Sequence, residues 1–281
     1  AQSSRAGRHS VLIAFPGLNP GLSISFTCLR MLTLSQSLSP KMAVTASVGL
    51  AVVLSGGMRE VALAQIIADQ TLSTIVTSVD RSNVVIENGD RIGPNLFHSF
   101  DQFSIPKSGS AHFNNAADIG IIFSRVTGNR ASQINGRLSA NGTTDVFLMN
   151  PNGIIFGNNA SLNIGGSFIG TTAESIMFQD GSEFHSSDTT ASPLLTMSIP
   201  VGLQMGNTPG RIRQARATLQ TTTGQTLGLV GHGLTISGGT LEVAGGRGRI
   251  DLISVGTNNT ANLQQKGGKW RVDVSHLDMN T

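Results

Sequence analysis

The residues able to carry chemistry are few and scattered. Six histidines, His9, His98, His112, His185, His232 and His276, show none of the short spacings that hold a metal, and no His-Glu-x-x-His run exists, so no metal site is expected. Cys28 is the sole cysteine. No Gly-x-Ser-x-Gly elbow presents a nucleophile; Gly166-Ser167 reads as a corner leading into a strand. Gly245-Gly246-Arg247-Gly248 lacks the Lys-Ser/Thr pair that would hold a phosphate and magnesium. Acid and base catalysis on a sugar would need two carboxylates within about 5 to 10 Å of each other. Asp180 and Glu183 are the closest pair in a loop-like stretch, where carboxylates usually serve solubility. The sequence therefore predicts no catalytic residue, no cofactor and no enzyme, with a secreted β-helical polysaccharide lyase or hydrolase as the enzymatic alternative.

Other polar patterns have structural readings. The sequons at Asn141, Asn159 and Asn258 fit turn use in a Gly- and Asn-rich chain. Arg211, Arg213 and Arg216 alternate as on a solvated strand face.

The elements that must position these residues are short strands. With 34 glycines among 281 residues, 12% charged residues, one Trp and no Tyr, the composition does not suit long helices. Apolar runs at Val84–Ile86, Ile119–Phe123, Val146–Met149, Ile154–Phe156 and Leu162–Ile164 are punctuated by Gly, Asn and Asp. None sustains a helical stripe for three turns.

The formal charge of +3 belongs to the leader. Lys41 precedes an apolar run from Met42 to Leu54, and Ala62-Leu63-Ala64 has the small residues a signal peptidase reads, so cleavage after Ala64 would expose Gln65. A run of about 13 residues is too short to span a ~30 Å hydrocarbon core. Taking Arg5, Arg8, Arg30, Lys41, Arg59 and Glu60 from totals of 19 basic and 16 acidic residues leaves 14 and 15. A near-neutral chain lacks the clustered cations of a nucleic-acid binder. Cys28 leaves with the leader, so the exported part carries no disulfide.

One stretch organises the rest: Phe147-Leu-Met-Asn150-Pro151-Asn152-Gly153-Ile154-Ile-Phe-Gly157. Pro151 fixes φ, the two asparagines accept turn geometry and Gly153 supplies φ > 0, so a β-turn joins two strands. Ile134, Ile155 and Ile176 recur at equal intervals, and Phe147-Leu148 is matched by Phe168-Ile169 at the same interval. A repeat of roughly 20 to 25 residues predicts stacked solenoid coils rather than a hairpin. The pairs Leu227/Leu229, Leu234/Ile236, Leu241/Val243 and Ile250/Leu252 extend the coils, with both members facing inward. Residues 186–205, with Pro193 and Pro200, read as an excursion from the coil. Residues 66–85 fall outside the period and form the expected N-terminal cap.

These residues resemble the N-terminal secretion domain of filamentous-haemagglutinin-like exoproteins of two-partner secretion systems, the haemagglutination activity domain. Asn150-Pro-Asn-Gly-Ile154 is similar to that family's Asn-Pro-Asn-Gly-Ile motif. Asn95, Leu96, Phe97, His98 and Phe100 resemble its early block, and Gly93-Pro94-Asn95-Leu96 is a partial likeness to its Asn-Pro-Asn-Leu. Arg125-Val-Thr-Gly128, Ser132-Gln-Ile-Asn-Gly136 and Pro200-Val-Gly-Leu-Gln-Met-Gly206 continue the series in order.

The resemblance implies a right-handed parallel β-helix with an N-terminal cap. It implies export by the Sec machinery, processing by signal peptidase, and recognition by the POTRA domains of an outer-membrane β-barrel transporter. The expected organisation is a leader over 1–64, a secretion domain over 65–206 and further β-helix coils over 207–281. The expected role is that of a secreted, cell-surface adhesin of a Gram-negative-type cell with an unidentified receptor. A structural surface or biofilm protein is the third reading.

Overall fold

The computed structural model describes residues 65–187 and 194–277. Its strands form a three-sided parallel β-helix, with a 3-10 turn at Ala244–Gly246 as the helical element among the described residues. The leader with Ala62 and Ala64, and Pro193, lie outside the described residues.

Each coil visits three sheets in turn. The long sheet stacks Asn95–Ser104, Ile121–Val126, Asp145–Met149, Phe168–Thr171, Thr226–Gly231 and Arg249–Ser254 in parallel. A second side holds Asn83–Asn88, Ser110–Phe113, Arg137–Ala140 and Ser161–Asn163, with Thr218–Thr221 and Thr240–Val243 pairing separately. The third side holds Ser132–Ile134, Ile154–Phe156, Ile212–Ala215 and Leu234–Ser237. Antiparallel strands Gln65–Ala68 and Thr74–Ser78 seal the N-terminal end, as a cap must where edge groups would otherwise stay unpaired.

The coils shorten up to the excursion. Asn83 lies opposite Ser110, Ile121 opposite Asp145, and Val146 opposite Phe168, each interval smaller than the one before. Ile212 lies opposite Leu234 at the same short interval as Val146 and Phe168. The repeat read from Ile134, Ile155 and Ile176 is thus one residue too short even for these middle coils. The correction matters because a single slip turns every side chain to the opposite face. Val146 and Phe168 face the interior, while Phe147 stacks on Ile169 outside it. Ile134 pairs with Phe156 rather than Ile155.

Ile176 leaves the helix altogether. It lies in an antiparallel outer sheet ordered Glu183–His185, Ser175–Phe178, Pro200–Gln204, Thr260–Lys266, Lys269–Asp273. The excursion thus builds strands. Pro200 does not break the ladder, because it heads its strand where the register shifts between Met177 and Phe178.

Two apolar cores result. The interior packs Ile86, Phe113, Ile122, Leu138, Leu148, Phe156, Phe168 and Leu229 among others. A second core fills the space between the long sheet and the outer sheet, where Phe97, Phe123, Phe147 and Ile169 meet Phe178, Phe184, Leu203 and Trp270. Ring pairs such as Phe97–Phe123 at 5.1 Å and Phe147–Trp270 at 5.3 Å run through it. The long sheet is consequently buried on both faces, and Ile121–Val126 and Asp145–Met149 have no exposed residue.

At the far end the inward pairs are less covered. Ile236, Ile250 and Leu252 remain 42%, 39% and 41% exposed, whereas Leu227 and Leu229, one coil before Ile250 and Leu252, are fully buried.

Candidate functional site

The corner Asn150–Gly153 carries the chain from the long sheet to the third side, and the two strands it joins do not pair with each other. Gly153 N donates to Asn150 O at 3.0 Å, closing the β-turn. Asn152 N donates to Asn150 Oδ1 at 2.9 Å, the side chain standing in for a backbone carbonyl. Gly153 adopts φ 118°, a conformation that glycine enters without strain.

The corner is a clamp between coils. Asn150 is fully buried, and its Nδ2 donates to Arg130 O and Ser132 Oγ of the preceding coil, both at 2.9 Å. Asn152 is exposed, yet its Nδ2 donates to Gly128 O at 2.7 Å. On the other side Gly210 N donates to Pro151 O at 2.5 Å, and Ile154 N donates to Arg211 O at 3.2 Å. A Cβ on Gly210 would stand 2.3 Å from the carbonyl carbon of Asn152. Ile154 points inward and is buried. Beside the corner, Pro151, Asn152, Glu174, Asn207, Thr208 and Pro209 line a recess of about 240 Å³.

The early block is almost wholly interior. Leu96 and Phe100 pack in the helix core and Phe97 in the second core. Asn95 is buried, and its Nδ2 donates to Thr196 O and Ser198 O at 3.0 Å, fastening the excursion to the long sheet. His98 stacks on Phe100 and lies against Phe113, with Nδ1 3.3 Å from Thr74 Oγ1. Burial drives its pKa down to about 4 against a weaker upward pull from Asp90, so the ring is neutral near pH 7. The turn residues and the early block lie in different parts of the helix. Gln65 opens the first cap strand.

Asp180 and Glu183 are each engaged by hydroxyl groups. Asp180 accepts hydrogen bonds from Ser182 and Thr196, which hold its carboxyl far below the usual range, with Ser182 contributing most. Glu183 Oε2 accepts from Ser175 Oγ at 2.7 Å. Each carboxylate serves its own turn or strand.

Two buried charged residues make contacts that the sequence did not reveal. Arg125 is fully buried: Nε donates to Ser99 Oγ at 2.8 Å, Nη2 to Thr71 Oγ1 at 3.0 Å and Nη1 to His185 O at 2.5 Å, with the guanidinium 4.7 Å from the Phe184 ring centre. Ser99 and Thr71 in turn donate to Asp69 at 2.6 and 2.8 Å, so two hydroxyls relay between cation and carboxylate. Burial works against the charge on Asp69, but bonds from Ser99, Thr71 and Thr127 outweigh it and lower its pKa. Cap, coil and outer sheet meet there. Asp145 is the second: it accepts from Ser167 N at 2.6 Å and from Trp270 Nε1 at 2.8 Å, while burial raises its pKa. A charged residue inside an otherwise apolar stretch was the available signal for both.

Comparison with known proteins gives concordant likenesses. A family model described as the TPS secretion domain matches residues 64–279. A heme/hemopexin-binding protein of Haemophilus influenzae is 41% identical over 75 residues, 27% of this chain and 8% of that protein. A second protein of that name and species is 39% identical over 64 residues, 23% of this chain and 7% of the relative. The matched segments thus span less than a tenth of either relative. The crystal structure of the HMW1 secretion domain from Haemophilus influenzae aligns with TM-score 0.49 and 21% identity, over 75% of this chain and 48% of that one. That of the filamentous hemagglutinin secretion domain aligns with TM-score 0.34 and 15% identity, over 66% and 99%.

Proposed function

This chain belongs to the TPS secretion domain family, and with that as premise we propose that the clamped corner Asn150–Gly153 shapes a β-helical export address rather than a reactive centre. Membership makes the chain part of a secreted exoprotein exported through a partner transporter. The finer reading is that a leader over 1–64 directs passage through the Sec machinery and is removed after Ala64. The POTRA domains of an outer-membrane barrel then take the chain beginning at Gln65.

The observation that carries this reading is the corner itself. Asn150 spends its amide on the preceding coil, and Pro151 and Ile154 accept and donate to the following one. A group already committed on both sides works by holding coils in register. Neighbour-only contacts suit a column that forms as it emerges. The division into 65–206 and 207–281 is retained as a functional one, the first part being read by the transporter and the second extending the column. At the cell surface the folded column would act as an adhesin, its free faces meeting a receptor. Catalysis has no part in this reading, because Asp180 and Glu183 are each occupied structurally.

Deleting the partner barrel tests it. The chain should then accumulate in the periplasm, processed to begin at Gln65, and unchanged secretion would overturn the proposal. Replacing Asn150 or Asn152 by Ala should lower the secreted fraction.

A further inference from the structure

The chain leaves the long sheet at Thr171 for the outer sheet and returns from it to the third side, where Ile212 opens the next strand. The departing limb holds Glu174, and the returning limb holds residues 206–209. Glu174 N donates to Gln204 O at 2.8 Å and Gly210 N to Pro151 O at 2.5 Å, so the two limbs are fixed to each other and to the corner Asn150–Gly153. The recess of about 240 Å³ beside that corner lies at this neck, between the limbs.

What faces the recess is rich in acceptors. Asn152 Nδ2 is spent on Gly128 O and Asn150 Oδ1, which leaves Oδ1 as the free end of its amide. The carboxylate of half-buried Glu174 makes no hydrogen bond or ion pair among the described residues. It lies against Gly206, where a Cβ would stand 2.3 Å from Oε2, so the glycine leaves the room that the carboxylate occupies. The exposed side chains of Asn207 and Thr208 are also unpaired among the described residues. No Lys, Arg or His is among the described residues lining the recess. Arg211 is turned toward the next coil, its stem 3.5 Å from where a Cβ on Gly233 would sit. Pro151 and Pro209 supply apolar walls.

A rigid recess with one uncompensated carboxylate suits a cation that is rich in donors and carried on an apolar stem. Resting on the reading of this chain as an export address taken up by a partner barrel, we propose that the recess receives an arginine side chain from the periplasmic domains of that transporter. Its guanidinium would pair with Glu174 and donate to Asn152 Oδ1. Arginine has five donors and no acceptor, and its paired N–H groups match a carboxylate. Its stem would lie along the two prolines. A free small molecule is a poorer occupant, because pockets for such ligands are mostly apolar and measure about 300 to 1,000 Å³. A smaller polar recess suits a side-chain anchor, and arginine is enriched among the anchors of protein interfaces.

The test measures binding of the full chain to the purified periplasmic domains of its partner barrel, alongside the secreted fraction. Glu174→Lys should lower affinity by about tenfold or more and Glu174→Gln by roughly threefold, both with weaker dependence on salt. Thermal unfolding of the two variants should match the parent, because the carboxylate has no partner within the described chain. Asn207→Asp adds a second carboxylate at an exposed position and should tighten binding severalfold, a gain that a folding defect does not produce. The control Glu242→Gln, exposed on the second side, should stay within about twofold of the parent. Parent affinity in Glu174→Lys would overturn the proposal. So would calorimetric binding of calcium chloride alone that is lost in Glu174→Gln, which would assign the recess to a metal ion. If deleting the barrel blocks secretion while Glu174→Lys is bound and secreted like the parent, the recess proposal falls and the export reading stands. Secretion that survives deletion of the barrel removes the export reading, and the recess proposal with it.

Discussion

The interior of the β-helix and the core beneath the outer sheet are both apolar and closed, yet their contacts are of opposite kinds. In the interior, Val146 meets Phe168 and Leu138 meets Leu162, partners one coil apart in the chain. In the outer core, Trp270 meets Phe147 and hydrogen-bonds Asp145, 125 residues away. Gly202–Gln204 pairs with Thr260–Asn262 across several intervening strands. Contacts between sequence neighbours close small loops and form early; distant ones carry a larger entropic cost and form late. The column can therefore grow coil by coil, while the outer core closes only when residues 260–273 arrive.

Breaking the long-range contact should separate the two regions most clearly. Trp270→Ala removes the largest buried side chain and leaves Asp145 Oδ2 without its donor while Oδ1 keeps Ser167 N, at a cost of about 3 to 5 kcal/mol. Hydrogen exchange should show protection lost in 175–204 and 260–273 and kept in 121–171. Uniform loss would mean that the two cores unfold as one.

Acid attacks the interior instead. His98 is neutral in the folded protein with a pKa of about 4 because it is buried, whereas an unfolded histidine titrates near about 6.5. The unfolded chain thus binds the proton more readily, and stability present above that unfolded value is lost as pH falls through it towards the folded one. The loss is roughly 3 kcal/mol, readable from urea midpoints. His98→Phe should flatten that slope.

Smaller effects belong to the corner. Asn150→Ala leaves Arg130 O and Ser132 Oγ without their donor and should cost about 2 kcal/mol in chemical denaturation. Asn152→Ala, at an exposed position, should cost under about 1 kcal/mol by the same measurement. If Asn152→Ala lowers secretion as strongly as Asn150→Ala despite this difference, the corner touches the transporter directly.

The coil corners were readable because Pro, Asn and Gly have local conformational demands, and Asn150–Gly153 meets them where it stands. The register was harder. Phe147-Leu148 and Phe168-Ile169 look alike at the interval that separates Ile134 from Ile155, but both faces of this sheet are buried, so composition did not distinguish inward from outward positions. The unbroken runs Ile121–Phe123 and Val146–Met149 already carried the sign of a second covering layer. What covers them was not legible, because Ile176, Phe184 and Trp270 lie far apart in sequence and antiparallel pairing leaves no period. The clamp partners of Asn150 were hidden for a simpler reason: Arg130 and Ser132 contribute a backbone oxygen and a hydroxyl, groups that no motif marks. The burial of the block Asn95–Phe100 was not legible either, because its residues divide between two cores and only one face of a strand was expected to point inward.

The shortening of the coils gives the column a polarity. The longer contour that runs from Asn83 to Ser110 and the shorter one from Ile212 to Leu234 cannot share corners. The end with the longer coils is closed by antiparallel strands. Closed in this way at its first coil, the column offers no free strand edge there for another chain to extend.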